Sequence, residues 1–389
     1  MQNTVHHSLN SRRAFLRTLS LGAGATLVGS AALARPLEWL GDGLAAERKL
    51  GIALVGLGKY STGQLAPALQ QTQHCRLAGI VTGTPAKAAQ WKQQYKLSDK
   101  SIYDDKTFDR MIDNPDIDIV YVVLPNALHA EYVVRAAQAG KHVICEKPMA
   151  TSVADARRMI AAMQKAGKKF SIGYRLHFEP HHREMMRLGQ QQAFGPLQHL
   201  WADNGFKFNN DTPWRVNKAL SGGGPLMDMG IYCLQGCLYT KGQVPVSVTA
   251  KFTPKTDLSL FKEVEAGVDW QLQFADGSAA DCRTSYAENM NSRLRAEAAK
   301  GWAELAPSFG YGGIQGRTSQ GSMDIPNVNQ QAAQMDDFAL CVLNNQPTRV
   351  PGEMGLRDVE LLQAIYRAAE TGQKVSTKDV AAVLDKAGR

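Results

Sequence analysis

Cysteine is scarce: six residues, at 75, 145, 233, 237, 282 and 341, are scattered over a chain of 389. That excludes the dense disulfide framework of a small secreted scaffold. No C-x-x-C pair occurs, and Cys233 and Cys237, four apart on an expected helix, have no matching His pair. No metal site is expected, and the thiols read as core residues. A basic cluster interleaved with aromatics is also missing, so the net charge of +8 does not by itself indicate nucleic acid. The moderately apolar run at 18–33, rich in Gly and Ala, is short and weakly apolar for a membrane span. There is no internal repeat, and no low-complexity tract beyond the first 34 residues. What remains, 44% hydrophobic and 21% charged, is the composition of a globular chain long enough for two domains.

Residues 1–34 read as an export leader. Arg12 and Arg13, followed by Phe15 and Leu16, precede the Gly/Ala-rich run, and Ala32-Leu33-Ala34 fits an A-x-A cleavage site. The arginine pair resembles a twin-arginine signal, which carries folded, cofactor-loaded proteins to the periplasm. The leader holds three arginines and no Lys, Asp or Glu, so its removal takes the formal charge from +8 to +5. No membrane association is expected after cleavage. Residues 35–48 read as an arm leading to the first strand.

Strand and helix patterns then alternate. Strands are expected at 49–55, 75–82, 117–124, 142–145 and 170–173, with helices at 64–72, 85–95, 108–113, 130–139 and 153–166. The Ile/Val-rich run at 117–124 suits a strand buried on both faces. Such alternation predicts a doubly wound parallel sheet over 49–173, a Rossmann dinucleotide-binding domain. After 173 the pattern changes. Longer strands at 197–204, 246–252, 264–274 and 278–284, with a turn at Asp276-Gly277, predict an α+β domain (174–389) built on a large, open, mostly antiparallel sheet. Helices at 329–343 and 354–371 could return to the first domain, and 309–321 reads as a loop.

Three places carry chemistry. Gly56-Leu57-Gly58, with Lys59 and Tyr60 behind it, follows a buried strand as a dinucleotide turn does; its glycines let backbone approach a pyrophosphate at a helix start. The third small position of the fingerprint is Ser61. The second strand ends Val81-Thr82-Gly83-Thr84 with Lys87 nearby and no carboxylate to repel a 2′-phosphate, which favours NADP over NAD. Leu124-Pro125-Asn126 and His129 lie past the next strong strand, on the side where such sheets bind ligand. Glu146-Lys147-Pro148 ends a short apolar strand; a residue before proline is pushed to an extended conformation, aiming the lysine across the crevice. Its charge favours the phenolate of a nearby tyrosine, which unaided is a poor base at neutral pH. Asp228 and Tyr232, after the run Gly222-Gly223-Gly224, fall four apart on one helix face and are the expected catalytic partners of Lys147. Tyr174-Arg175 and Trp214-Arg215 are candidates for stacking and hydrogen bonding: Tyr174 towards substrate, Arg175, Trp214 and Arg215 towards the cofactor.

At these residues the sequence resembles the Gfo/Idh/MocA oxidoreductases, and within them the periplasmic glucose–fructose and aldose–aldose oxidoreductases. The matching stretches are 55–58, 124–131, 145–152, 172–175, 223–232 and 363–366. The resemblance implies tightly bound NADP(H), small sugars as substrates, and homo-oligomers, dimer or tetramer, that pack through the open sheet. It places the family's lysine on Lys147 and its acidic and tyrosine positions on Asp228 and Tyr232. Residues 59–61 and 206–212 depart from the relatives, which leaves the sugar open. The implied reaction oxidises a cyclic aldose at C1 to an aldonolactone and reduces a second sugar to an alditol. The competing readings are an NADP-dependent aldose dehydrogenase that releases its cofactor, an NAD-using glycosidase, and a non-catalytic sugar-binding protein.

Overall fold

Six buried residues in a row, Leu50–Val55, make the first strand β1; a run apolar at every position, not every second one, is the mark of a strand covered on both faces. A computed structural model describes residues 48–384 of the chain. The expected leader, and the arm up to residue 47, lie outside the described residues. Around β1 assemble β2 (Cys75–Val81), β3 (Ile102–Tyr103), β4 (Ile119–Val122), β5 (His142–Cys145) and β6 (Phe170–Ile172). They form a six-stranded parallel sheet in the order β3-β2-β1-β4-β5-β6. The order reverses beside β1, so a crevice opens between the C-terminal ends of β1 and β4. Helices α1 (Ala66–Leu69), α2 (Pro85–Tyr95), α3 (His129–Gln138) and α4 (Val153–Lys165) make the connections. Ser152 caps α4, its hydroxyl accepting from Asp155 N.

The second sheet has nine strands: β7 (Leu197–Gly205), β8 (Ser247–Phe252), β9 (Gly267–Gln273), β10 (Ala279–Ser285), β11 (Arg293–Ala298), β12 (Gly301–Leu305), β13 (Gly316–Thr318), β14 (Gly321–Met323) and β15 (Val375–Ser376). Their order is β14-β13-β12-β11-β7-β10-β9-β8-β15. All neighbours are antiparallel except β7 and β10, which run parallel. Gly277, at φ +87°, makes the expected turn between β9 and β10. One face is covered by α5 (Pro180–Gln190), α7 (Ile231–Lys241) and α9 (Gly352–Thr371), and the short α6 (Lys218–Ser221) lies ahead of α7. The segment expected to be a loop, 309–321, in fact contributes β13 and the start of β14, an edge hairpin. Strands β11 and β12 and helix α5 are additions to the sequence-based expectation.

The C-terminal helices do return. In α8 (Gln330–Leu343), Met335, Phe338 and Ala339 pack with Ile52, Leu54 and Tyr121 of the first sheet. Asp336 of α8 accepts from the backbone N–H of Gln73 and His74, just ahead of β2. Among the described residues no helix is long and apolar enough to cross a membrane.

Candidate active site

The dinucleotide turn leaves β1 at Gly56, whose φ of +94° lies in the left-handed region; a Cβ there would sit 2.5 Å from Val123 O. Only glycine fits. Around Gly58 the position of a Cβ is open space. Leu57 turns its side chain into the core and offers the cleft backbone only. Its carbonyl accepts from Lys87 Nζ at 3.1 Å, so the lysine of α2 bends over the turn. Thr82 Oγ1 accepts from Thr84 N at the end of β2, where no carboxylate stands. This donor set fits a phosphate-rich dinucleotide. Lys59 pairs with Asp211 at 2.6 Å, joining the turn to the facing domain. Tyr60 lays its ring 5.6 Å from that of Tyr311; burial, then Glu146, pushes its phenol well above the ordinary value.

Beyond β4, Asn126 is buried and donates to Ser221 O at 2.8 Å, a tie across the cleft. Leu124 and Pro125 are half-buried beside it. His129 is a correction to the sequence reading. It is wholly buried, and its ring nitrogens lie 3.0 Å from Pro148 O and 2.9 Å from Leu124 O. With both nitrogens facing backbone carbonyls, it ties two loops together. Glu146 is buried too; its carboxylate accepts from Tyr121 Oη at 2.7 Å, and Tyr121 accepts from Gln334 of α8. Burial raises the Glu146 pKa.

Lys147, whose bond to Pro148 is cis, crosses the cleft. Its Nζ donates to the carbonyl O of Asp228 at 2.7 Å and to Oδ1 at 3.1 Å. Asp228 lies in a π-turn: Ile231 N donates to Leu226 O five residues back, not four. Such turns are frequent at functional sites. The other carboxylate oxygen accepts from Arg215 Nε at 2.9 Å and from Tyr286 Oη at 2.7 Å. Burial alone would raise the Asp228 pKa, but Lys147, Arg215 and Tyr286 outweigh it and hold it well below the carboxylate range. Burial likewise pulls on the Lys147 ammonium, and Tyr232 and Asp228 more than reverse that, so it stays above its usual value.

Tyr232, the first buried aromatic of α7, stands between two cations: Lys147 Nζ is 4.5 Å from its ring centre and Arg175 Cζ 4.8 Å. Phe309 stacks 6.2 Å away. Arg175 holds the 309–311 segment by donating to Phe309 O (2.5 Å), Gly310 O (2.8 Å) and Gln330 Oε1 (2.5 Å), and stands 4.7 Å over the Tyr311 ring. Trp214 packs 5.1 Å from the guanidinium of Arg215. Tyr174 is the second correction. It is buried against His177 (6.4 Å), on the side of Asp358 and Tyr239, away from the cleft. Beyond the end of β6, Tyr174 caps a short 3₁₀ turn that Arg175 opens (Arg175–Phe178), and there Arg175 turns to the cleft and Tyr174 to the core.

The cleft thus gathers Lys59, Tyr60, Glu146, Lys147, Arg175, Arg215, Asp228 and Tyr232. Tyr286 and Tyr311 were missed by the sequence reading. An aromatic set among glycines (Phe309-Gly310-Tyr311-Gly312-Gly313) and a tyrosine directly past a strand end were the available signals. Among the described residues no group of three His, Cys, Asp or Glu could hold a metal ion.

A doubly wound sheet with a glycine turn, facing a lysine, a carboxylate and a phenol borne by a second sheet, defines the class of nicotinamide-dependent oxidoreductases. Residues 50–174 match the family model described as the oxidoreductase family with an NAD-binding Rossmann fold, and 182–304 match the GFO/IDH/MocA C-terminal domain. The chain belongs to the Gfo/Idh/MocA oxidoreductase family. It is similar to an aldose–aldose oxidoreductase from Caulobacter crescentus, whose crystal structure is complexed with glycerol: 44% identity, TM-score 0.82, covering 85% of this chain and 100% of that one. It is 27% identical over 350 residues to D-xylose 1-dehydrogenase [NADP(+)] of Haloarcula marismortui, covering 85% and 94% of the two chains. D-glucoside 3-dehydrogenase of Escherichia coli is 28% identical, with coverages of 84% and 97%.

Proposed function

We propose that this protein is a sugar:sugar oxidoreductase with tightly held NADP(H). It oxidises a cyclic aldose at C1 to an aldonolactone and then, in ping-pong order, reduces a second sugar, aldose or ketose, to an alditol. The observation that carries the reading is Tyr232 set between Lys147 and Arg175, with Lys147 pinned to Asp228. The 44% likeness to an aldose–aldose oxidoreductase over that protein's whole length supports the substrate class, and the NADP(+)-dependent xylose relative supports the cofactor.

The turn at Gly56–Tyr60, with Thr82 and Lys87 at the 2′-phosphate and Asn126 and Glu146 further along the crevice, would hold the dinucleotide. When bound, the nicotinamide supplies hydride acceptance in one half-reaction and hydride donation in the other. The protein moves the proton. In its phenolate form, with its charge met by Lys147 and Arg175, Tyr232 Oη takes the proton from the anomeric hydroxyl as C1 gives up hydride, and becomes the neutral phenol. In the second half Tyr232 gives the proton to the carbonyl oxygen of the acceptor sugar, so the enzyme ends as it began. Asp228 keeps Lys147 charged and aimed. Positioned acid–base help of this kind contributes roughly 10²–10⁴ in rate; Arg215, Trp214 and Tyr311 supply the walls that orient the ring.

Export through the leader at 1–34 to the periplasm and pairing of subunits through the open face of the nine-stranded sheet belong to the same proposal. The test uses protein as purified. Nicotinamide absorbance that survives dialysis, and conversion of paired sugars to a lactone and an alditol with no NADP added, is the expected result. Turnover that stops on dialysis and returns only with stoichiometric NADP makes the protein an ordinary aldose dehydrogenase. Absence of any lactone refutes the reading.

A further inference from the structure

The π-turn that carries Asp228 does not hold itself. Its entry, Gly222-Gly223-Gly224-Pro225, leaves backbone N–H groups at a helix start with no partner inside the helix. Glu265, between Val264 and Ala266 ahead of β9, meets them from outside. Its Oε2 accepts from Gly224 N at 3.0 Å and its Oε1 from Leu226 N at 3.1 Å. Tyr366 of α9 donates its hydroxyl to the same Oε1 at 2.8 Å. The carboxylate is buried, and both its oxygens are taken up by these three donors. Two glycines make the approach possible: a Cβ on Gly224 would lie 2.6 Å from Glu265 O, and one on Gly223 2.0 Å from Tyr366 Oη. The adjoining residue, Ala266, accepts through its carbonyl from Tyr286 N at 2.8 Å. Tyr286 in turn donates to Asp228 Oδ2.

We infer that Glu265, braced by Tyr366, is a positioning residue for the reaction. It touches no substrate; it clamps the start of the π-turn and, through Ala266, the tyrosine behind Asp228, so that Asp228 reaches Lys147 while Tyr232 faces the cleft. The inference deepens the proposed function and rests on it for its kinetic arm alone; its geometric arm does not need turnover.

The experiment compares Glu265→Gln and Tyr366→Phe with the wild-type holoenzyme. Glu265→Gln keeps the shape but turns an amide N–H towards a backbone donor, so one clamp bond is lost and the turn shifts. A displacement of about 1 Å at the reacting groups lowers kcat by about 10²-fold. Affinity for NADP(H), measured by its fluorescence, is expected to stay unchanged, and hydrogen exchange in the 222–232 peptide to quicken. Tyr366→Phe, which leaves both backbone bonds, shows the same pattern more weakly. A Glu265→Gln enzyme with wild-type kcat, or with wild-type exchange in 222–232, overturns the inference. Equal losses of NADP(H) binding and kcat overturn it as well, since they mean general unfolding. If wild-type protein turns over no sugar, the proposed function fails, and the exchange comparison still decides whether Glu265 holds the turn.

Discussion

Asp228→Asn is the most informative single substitution, because it removes one negative charge while keeping the side chain's shape. The carboxylate serves Lys147 (3.1 Å), Arg215 (2.9 Å) and Tyr286 (2.7 Å). An amide offers one acceptor oxygen and turns its NH₂ towards at least one of these donors. The side chains of Lys147 and Asp228 are only 10% and 15% exposed, so water replaces little of what is lost; Arg215, at 30%, recovers more. Breaking a buried pair costs about 3–5 kcal/mol. Lys147 keeps its bond to the Asp228 carbonyl, which puts the expected loss at the lower end, about 3 kcal/mol, or roughly 4 °C in Tm for a chain of this size. Catalysis falls as well: the anion that raises the Lys147 pKa is gone, so the alkaline limb of the kcat profile moves to lower pH. Thermal unfolding and a pH–rate profile measure the two effects separately. Wild-type Tm together with an unmoved profile would refute the charge-pair reasoning.

Tyr232→Phe is expected to abolish turnover, by about 10²–10⁴-fold, while NADP(H) stays bound after dialysis; retained activity removes Tyr232 from proton transfer. Lys87→Ala is expected to lower NADP affinity about tenfold relative to NAD, the worth of one charge-assisted hydrogen bond, in competitive titrations; an unchanged ratio places the 2′-phosphate elsewhere. The wild type is expected to lose stability in acid. The Asp228 pKa is depressed in the folded state, so its contribution is fully present above the unfolded-state value of about 3.9 and is lost as pH falls below it. Chemical denaturation midpoints over that range should fall more steeply for the wild type than for Asp228→Asn, and parallel curves would contradict the depressed pKa.

How much of this was legible depended on how local each signal was. Strands β1, β4 and β5 are buried on both faces, so their apolar runs are unbroken, and helix α2 begins at its proline. Strands β11 and β12 escaped notice because their outward positions carry charges that pair across strands, Arg295 with Glu304 among them. The Leu294 and Ala296 alternation is faint beside such neighbours. Helix α5 opens Pro-His-His-Arg-Glu, and its inward side is made of His181, His182 and Met residues that no apolar count weights strongly. In the site, Lys147 and the Asp228–Tyr232 pair sit in compact motifs of their own. Tyr286, Tyr311 and Glu265 reach the cleft or its support through sheet pairing and long connections, which no spacing rule encodes. Tyr174 shows the reverse case: a dipeptide can be placed correctly while the 3₁₀ turn it enters decides which of its two side chains faces the cleft.

Among the described residues, three of the polar ties across the cleft have differing surroundings. Asn126 to Ser221 O and Lys147 to Asp228 are buried, the latter pair with side chains only 10% and 15% exposed. Lys59 to Asp211 lies at the mouth, with side chains 71% and 48% exposed. Exposed pairs contribute little and are screened by salt, whereas buried hydrogen bonds are costly to break. This difference makes the reacting groups stiff and the entrance soft. The proposed ping-pong cycle needs this division, since two sugars would enter and leave in each cycle while the lysine, carboxylate and phenol keep one geometry for both half-reactions.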